Sequence, residues 1–175
     1  MNYLKELKGY NNKNICTKKW KNIDISSFEI YSSKNSLDKN KINYVGKKLF
    51  NYVTRSEINN GIQFKIPKQT IEINKGNCLT IGLDTQTVFY QEEDFYTGQN
   101  VHILRIKNCT KYSYLFISVL LKTKIKLLYS WGGKGATLGR LKKESILLPV
   151  TKEGFIDFEF MDNFIKELPY SKFII

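Results

Sequence analysis

Between residues 50 and 106, short runs in which branched or aromatic residues alternate with polar ones are cut apart every few positions by turn-forming sequence, and no other feature constrains the fold as strongly. FNYVT at 50–54 alternates, Glu57-Ile58-Asn59-Asn60-Gly61 supplies a turn, and IQFKI at 62–66 alternates again. Asn-Gly between two such runs predicts a β-hairpin. Further strand-like runs stand at 70–73, 78–83, 87–90 and 101–106, separated by Lys75-Gly76-Asn77, Leu83-Asp84-Thr85 and Thr97-Gly98-Gln99. An earlier strand is expected at 28–31, ahead of a polar loop. At Lys111 the period changes: Tyr112, Leu115, Phe116, Val119, Leu120 and Leu127 recur at helical spacing, which predicts a helix over 111–128 with those residues on its apolar face. A glycine-rich loop (130–139), a basic helical turn (140–144) and an apolar strand (146–150) follow. A second amphipathic helix over 155–168 stacks Phe160, Phe164 and Leu168 and is ended by Pro169. Sheet followed by helices gives an α/β class.

The length of 175 residues suits one globular domain. The 42% hydrophobic and 14% aromatic content excludes a disordered basic tail. Net charge is +12, carried by 25 Lys and only three Arg (Arg55, Arg105, Arg140), beside 16 Asn. Lys, Asn and Ile are also what AT-rich coding favours, so position carries more information than the total. Residues 1–143 have net charge +15 and residues 144–175 have −3, which suggests one surface for a polyanion and another for a different partner. Cys16, Cys78 and Cys109 are odd in number and widely spaced, and no apolar leader precedes them, as expected for a cytoplasmic chain with reduced thiols. The longest apolar run, 114–121, is far short of the roughly 20 residues that span a bilayer.

Catalytic groups are hard to find. The Gly132–Arg140 stretch misses the nucleotide-loop spacing, since five residues separate Gly133 from Gly139 and Arg140 stands where Lys is needed. No Gly-x-Gly-x-x-Gly opens a helix, so no dinucleotide or methyl-donor cofactor is signalled. A zinc site lacks ligands, because there is no Cys-x-x-Cys and His102 is the sole histidine. Glu92-Glu93-Asp94 and Asp157/Glu159 read as solvated surface, and His102 reads as a buried structural residue within a strand. No cofactor, no metal and no catalytic residue are therefore expected. A basic, Asn-, Thr- and Tyr-rich β domain with glycine-bearing loops suits nucleic acid instead.

Several ordered blocks carry a resemblance: FNYVTR at 50–55 with NNGI at 59–62, KGNCLTIG at 75–82, VFYQ at 88–91 with DFY at 94–96, SWGGKGATLGRLK at 130–142, and ILLPV at 146–150 with DFEFM at 157–161. From about residue 20 onward the chain resembles the target recognition domains of restriction-modification systems, found in type I specificity subunits and in type IIG and BcgI-like enzymes. The resemblance implies a single globular target recognition domain with a central mixed, mostly antiparallel twisted sheet in semi-barrel form, flanked by helices. Residues 1–19, polar, Asn- and Lys-rich and aperiodic, are expected to be a loosely ordered leader, and the resemblance implies a recognition domain over 20–154 and, over 155–175, a C-terminal helix that is the remnant of a spacer helix. The family usually carries two such domains; with one, this chain is a half-length subunit that dimerises, a fragment, or a free-standing domain.

The implied function is that of a non-catalytic specificity module that binds double-stranded DNA, reads one half-site and positions a partner adenine methyltransferase subunit, with a self-dimer or second recognition domain completing the target and no membrane partner. Two other readings compete: a regulatory or competitor protein that engages restriction-modification complexes, and a stand-alone DNA-modifying enzyme. The candidate DNA-binding residues are Thr54, Arg55, Asn59, Asn60, Gln63, Gln86, Tyr90, Lys134, Thr137, Arg140 and Lys142. Arg55 suits guanine and Asn59 or Gln63 suits adenine, while Lys134, Arg140 and Lys142 suit phosphate. For Asn60 a plain turn role competes, and for Tyr90 a core role. Trp131 is expected to anchor its loop on the core.

Overall fold

The computed structural model describes residues 18–129 and 135–173. Most of the expected leader, with Cys16, and the 130–134 segment, with Trp131 and Lys134, lie outside the described residues. The strands are β1 (Trp20–Asp24), β2 (Glu29–Ser32), β3 (Leu49–Val53), β4 (Ile62–Pro67), β5 (Cys78–Gly82), β6 (Val88–Gln91), β7 (Phe95–Thr97), β8 (Val101–Arg105) and β9 (Ser145–Pro149). The helices are α1 (Lys111–Leu128), α2 (Leu138–Leu141) and α3 (Phe158–Lys166). The strands form a four-stranded sheet in the order β2-β8-β5-β6, a three-stranded sheet in the order β4-β3-β7 and the pair β1-β9. Pairing is antiparallel except for β3 with β7. The chain is thus a mixed α/β domain with mostly antiparallel strands, which are shared among three sheets rather than gathered into one.

The hairpin expected around Asn60-Gly61 forms between β3 and β4. Its connection runs from Thr54 to Gly61 and closes through three successive left-handed residues, Asn59 (φ 50), Asn60 (φ 54) and Gly61 (φ 76). Among the described residues, the other non-glycine positions with positive φ are Asn77, Gln86, Asn100 and Asn108. Short side chains that bond to local backbone make Asn tolerant of this conformation, so part of the Asn content is used in turns whatever its coding origin. Residues 70–73 are not a strand; Ile71 and Ile73 pack on the small core beside β3, and Asn74 bridges to Phe95. Two strands escape the alternation pattern. β1 is rich in Lys, Asn and Asp and exists by pairing with β9, while β7 is only three residues long and buried throughout.

Helix α1 has the expected bounds, and its expected face is buried in part: Phe116 lies in the core and Tyr112, Leu115 and Leu120 pack against it. Tyr114, Ile117, Leu121 and Ile125 are buried at i, i+3, i+7 and i+11, whereas Val119 is 63% exposed and Leu127 82% exposed. Apolar residues occupy almost every side of this helix, so its period does not mark one face; the sheet and α3 select it. The Thr110 hydroxyl caps the helix by accepting from the Ser113 N–H at 3.2 Å.

The main core joins β5 (Leu79, Ile81), β8 (Leu104), α1, β9 (Ile146, Leu148) and α3 (Met161, Ile165). Helix α3 thus packs into the same core as α1 and the strands. Phe160 and Phe164 stack with centroids 6.4 Å apart, and each meets Phe116 edge-on. Lys18 pairs with Asp157, and the Val150 N–H donates to the Lys19 carbonyl at 2.9 Å, so these two residues of the expected leader are already tied to the domain. A second, smaller cluster places Leu37 and Ile42 against Tyr52, Ile66 and Tyr96. Cys78 and Cys109 are buried free thiols; burial pushes the Cys78 thiol up to about 12.

Candidate nucleic-acid interface

Strands β3, β5 and β7 all end on one side of the domain, and the loops that leave them meet there. Backbone hydrogen bonds lace these loops together. The Gly98 N–H donates to Val53 O at 2.8 Å, Leu83 N–H to Asn100 O at 3.1 Å, and Ala136 N–H to Leu83 O at 3.0 Å. The 37–39 segment joins through Leu37 N–H, which donates to Thr97 O at 2.8 Å. Close approach favours glycine at two of these points: a Cβ on Gly82 would lie 2.6 Å from the hydroxyls of both Thr85 and Thr87, and one on Gly135 would press the end of the Leu83 side chain at 2.9 Å.

The meeting loops enclose an open groove of about 1160 Å³. Its walls come from Asp38 and Lys39, from Thr54, Arg55 and Ser56 after β3, from Gln63 on β4, from Asp84 and Thr85 after β5, from Gln99 after β7, and from Thr137 and Arg140 at the start of α2. Donors (Arg55, Arg140, Lys39), acceptors (Asp38, Asp84) and groups of both kinds (Gln63, Gln99, Thr54) thus line one surface. A slot for phosphate alone needs only donors, whereas base edges present both.

Of the candidate residues, Thr54, Arg55, Gln63, Thr137 and Arg140 are brought together in this groove. Arg55 pairs with Asp84 through Nη1 and Oδ2, and Arg140 donates from Nη1 to Gly135 O at 3.1 Å. Lys142 is exposed at the end of α2, outside the groove lining. Asn59 and Asn60 spend their side-chain N–H groups on the Ile62 and Tyr90 carbonyls, at 2.9 and 2.8 Å. Gln86 is buried and donates to Asp84 O at 2.5 Å. Tyr90 is half-buried, stacks on Tyr114 with centroids 5.5 Å apart and donates to Asn77 Oδ1 at 3.2 Å; burial first, then nearby Glu92, pushes its hydroxyl up to about 12. Lys134 lies outside the described residues.

Asp38, Lys39, Ser56, Asp84, Thr85 and Gln99 line the groove without having been picked out as contacts from sequence. Asp84, Thr85 and Gln99 stand in segments marked only as turns, and in hindsight the clustering of such turns was the available signal. On β8, His102 is buried, with Nδ1 3.0 Å from the Ser32 hydroxyl and Nε2 without a hydrogen-bond partner among the described residues. Burial holds its imidazole below the ordinary value; the Ala136 backbone opposes this, although it does not reach hydrogen-bond geometry with Nε2. Among the described residues no cluster of His, Cys, Asp and Glu is arranged to hold a metal ion, and no helix is long and apolar enough to cross a membrane.

The model of one protein family, the type I restriction modification DNA specificity domain, matches residues 4–171. The chain belongs to this family. The specificity domain is 31% identical over 121 residues to the specificity subunit of the type II restriction enzyme BcgI from Heyndrickxia coagulans, a match covering 67% of this chain and 34% of that protein. Its fold is similar to that of the type I restriction-modification S subunit from M. genitalium, with a TM-score of 0.59 at 18% identity, over 86% of this chain and 39% of the other. The HsdS subunit from Thermoanaerobacter tengcongensis gives a TM-score of 0.59 at 11% identity, over 89% and 38%. A structure described as showing complex assembly and conformational transition of the type I R-M system gives 0.63 at 12%, over 89% and 38%. The specificity domain thus spans about a third of the relative's length and under two fifths of these solved chains.

Proposed function

We propose that this specificity domain binds double-stranded DNA in the groove at the ends of β3, β5 and β7 and reads one half of a bipartite target. The observation that carries the reading is the convergence of separate loops on one groove with donors and acceptors interspersed, in a chain of the DNA specificity family. Arg55 and Gln63 are assigned to base edges, whereas Lys39, Arg140 and Lys142, with Lys134 beyond the described residues, are assigned to phosphates. Loops suit this task because their side chains vary without disturbing the sheets that hold them.

The work assigned to the domain is binding, with chemistry left to a partner adenine methyltransferase that flips its target base. A second recognition domain, in a longer chain or in a second copy, would read the other half-site. Selection of the purified chain against a random duplex library tests the proposal. One short enriched motif, bound at least about 10³-fold more tightly than unrelated duplex, supports it; uniform binding to every sequence overturns it. Mixing with a methyltransferase subunit tests the partnership, which predicts a complex that modifies only duplexes carrying the motif.

A further inference from the structure

Among the described residues the groove contains one ion pair, and it bridges two sheets: Arg55 follows β3 and Asp84 follows β5. We propose that Asp84 is the positioning residue for Arg55, and that the two act as one unit reading a G·C pair within the DNA-binding groove. This inference rests on the DNA-reading function proposed above.

The side chains are 41% and 38% exposed. An ion pair this open to water adds little to stability, so its main effect is geometric. With Nη1 on Asp84, the Nε and Nη2 donors of Arg55 have no partner among the described residues. They form the planar edge that matches O6 and N7 of guanine, while the second oxygen of Asp84 is able to accept from the amino group of the paired cytosine.

Charge supports the same assignment. A lone groove arginine takes a phosphate as readily as a base, because it is a flexible cation. Beside Asp84 the local net charge is zero, and the carboxylate repels phosphate while leaving the neutral base edge accessible. Asp84 is itself held in place. The Gln86 side chain donates to the Asp84 carbonyl at 2.5 Å, the Gln86 N–H donates to Gly82 O at 3.0 Å, and the Thr85 and Thr87 hydroxyls meet at 3.1 Å. Gln86 therefore belongs to the support of the reading unit rather than to its DNA-contacting surface.

Library selection with the full chain compares wild type with Arg55→Ala, Asp84→Asn and Asp84→Glu. Asp84→Asn is expected to lose preference at one G·C pair by about tenfold and to steepen the salt dependence by about one phosphate as Arg55 turns to the backbone. Arg55→Ala loses preference at that same pair. Asp84→Glu keeps the charge but shifts it by a methylene, so it weakens the preference without changing the salt slope. An unchanged preference in Asp84→Asn with tighter binding to all sequences alike would reduce Asp84 to a bulk charge and overturn the inference. So would effects of Arg55→Ala and Asp84→Asn on different base pairs. Wild-type protein with no motif would overturn the function proposed above and this inference with it.

Discussion

The Tyr52 hydroxyl donates to the Leu37 carbonyl at 2.7 Å inside the smaller core, and so fastens the segment that carries Asp38 and Lys39 into the groove wall to strand β3. Tyr52→Phe leaves that carbonyl without its partner while keeping the ring stacked on Phe64, 5.2 Å away. The expected loss is about 1–3 kcal/mol, read by urea denaturation, with faster amide exchange at Leu37. An unchanged midpoint would show that packing and the Leu37–Thr97 backbone bond hold the segment without the Tyr52 hydroxyl.

Lys39 and Arg140 stand exposed on the groove wall. If they neutralise phosphates, Lys39→Ala and Arg140→Ala each lower the slope of log affinity against log salt by about 0.9 and weaken all duplexes alike. A change in the selected motif would place the residue on a base instead.

Gly76 shows how tightly the turn before β5 is packed: a Cβ there would lie 2.1 Å from the Glu92 carbonyl oxygen. The Gly76 N–H also donates to Asp94 Oδ1 at 2.9 Å, and this bond is the first cause holding the Asp94 carboxyl below its usual range. Gly76→Ala forces backbone apart and should cost at least the upper end of about 1–3 kcal/mol, seen as a lowered melting temperature.

His102 predicts a pH effect. Burial depresses its folded pKa, so the unfolded chain binds the proton more tightly. Its contribution to stability is full above the ordinary value of about 6.5 and is lost as pH falls through the depressed folded value. Urea midpoints should therefore decline as pH falls from about 6.5 toward that depressed value in wild type and stay flatter in His102→Gln. The carboxylate effects, Asp94 included, act at lower pH, because their ordinary values are near 3.8. Parallel curves for the two proteins would remove His102 from the effect.

Leu121, 1% exposed between the sheet and α3, tests the face chosen for α1. Leu121→Ala should cost about 2–5 kcal/mol, whereas Leu127→Ala, at an 82% exposed position, should stay within about 0.5 kcal/mol. The reverse order would restore the face that the spacing of Leu115, Val119 and Leu127 suggests.

Alternation, short apolar runs and turn chemistry were sufficient to place β2, β3, β4, β5, β6, β8 and β9, and the change of period at Lys111 placed α1 to the residue. These signals are local, since side-chain direction and left-handed turn positions are decided within a few residues. β1 and β7 were hidden because each exists only through a distant partner, β9 and β3. The site divided in the same way. Arg55 and Gln63 were visible as side chains of the right chemistry near a turn, but nothing local told them apart from Gln86, Asn59 and Asn60, whose polar groups are spent on nearby backbone.

The sequence by itself therefore determined a β-rich basic domain, its turns, its principal helix and its family resemblance, because those depend on composition and on spacing along the chain. Only the tertiary structure decided which face of α1 is buried, which loops share a groove, and that Asp84, 29 residues from Arg55 in the chain, stands against it. Packing between sheets sets those relationships, and a pattern read along one strand at a time carries no record of what lies across the groove.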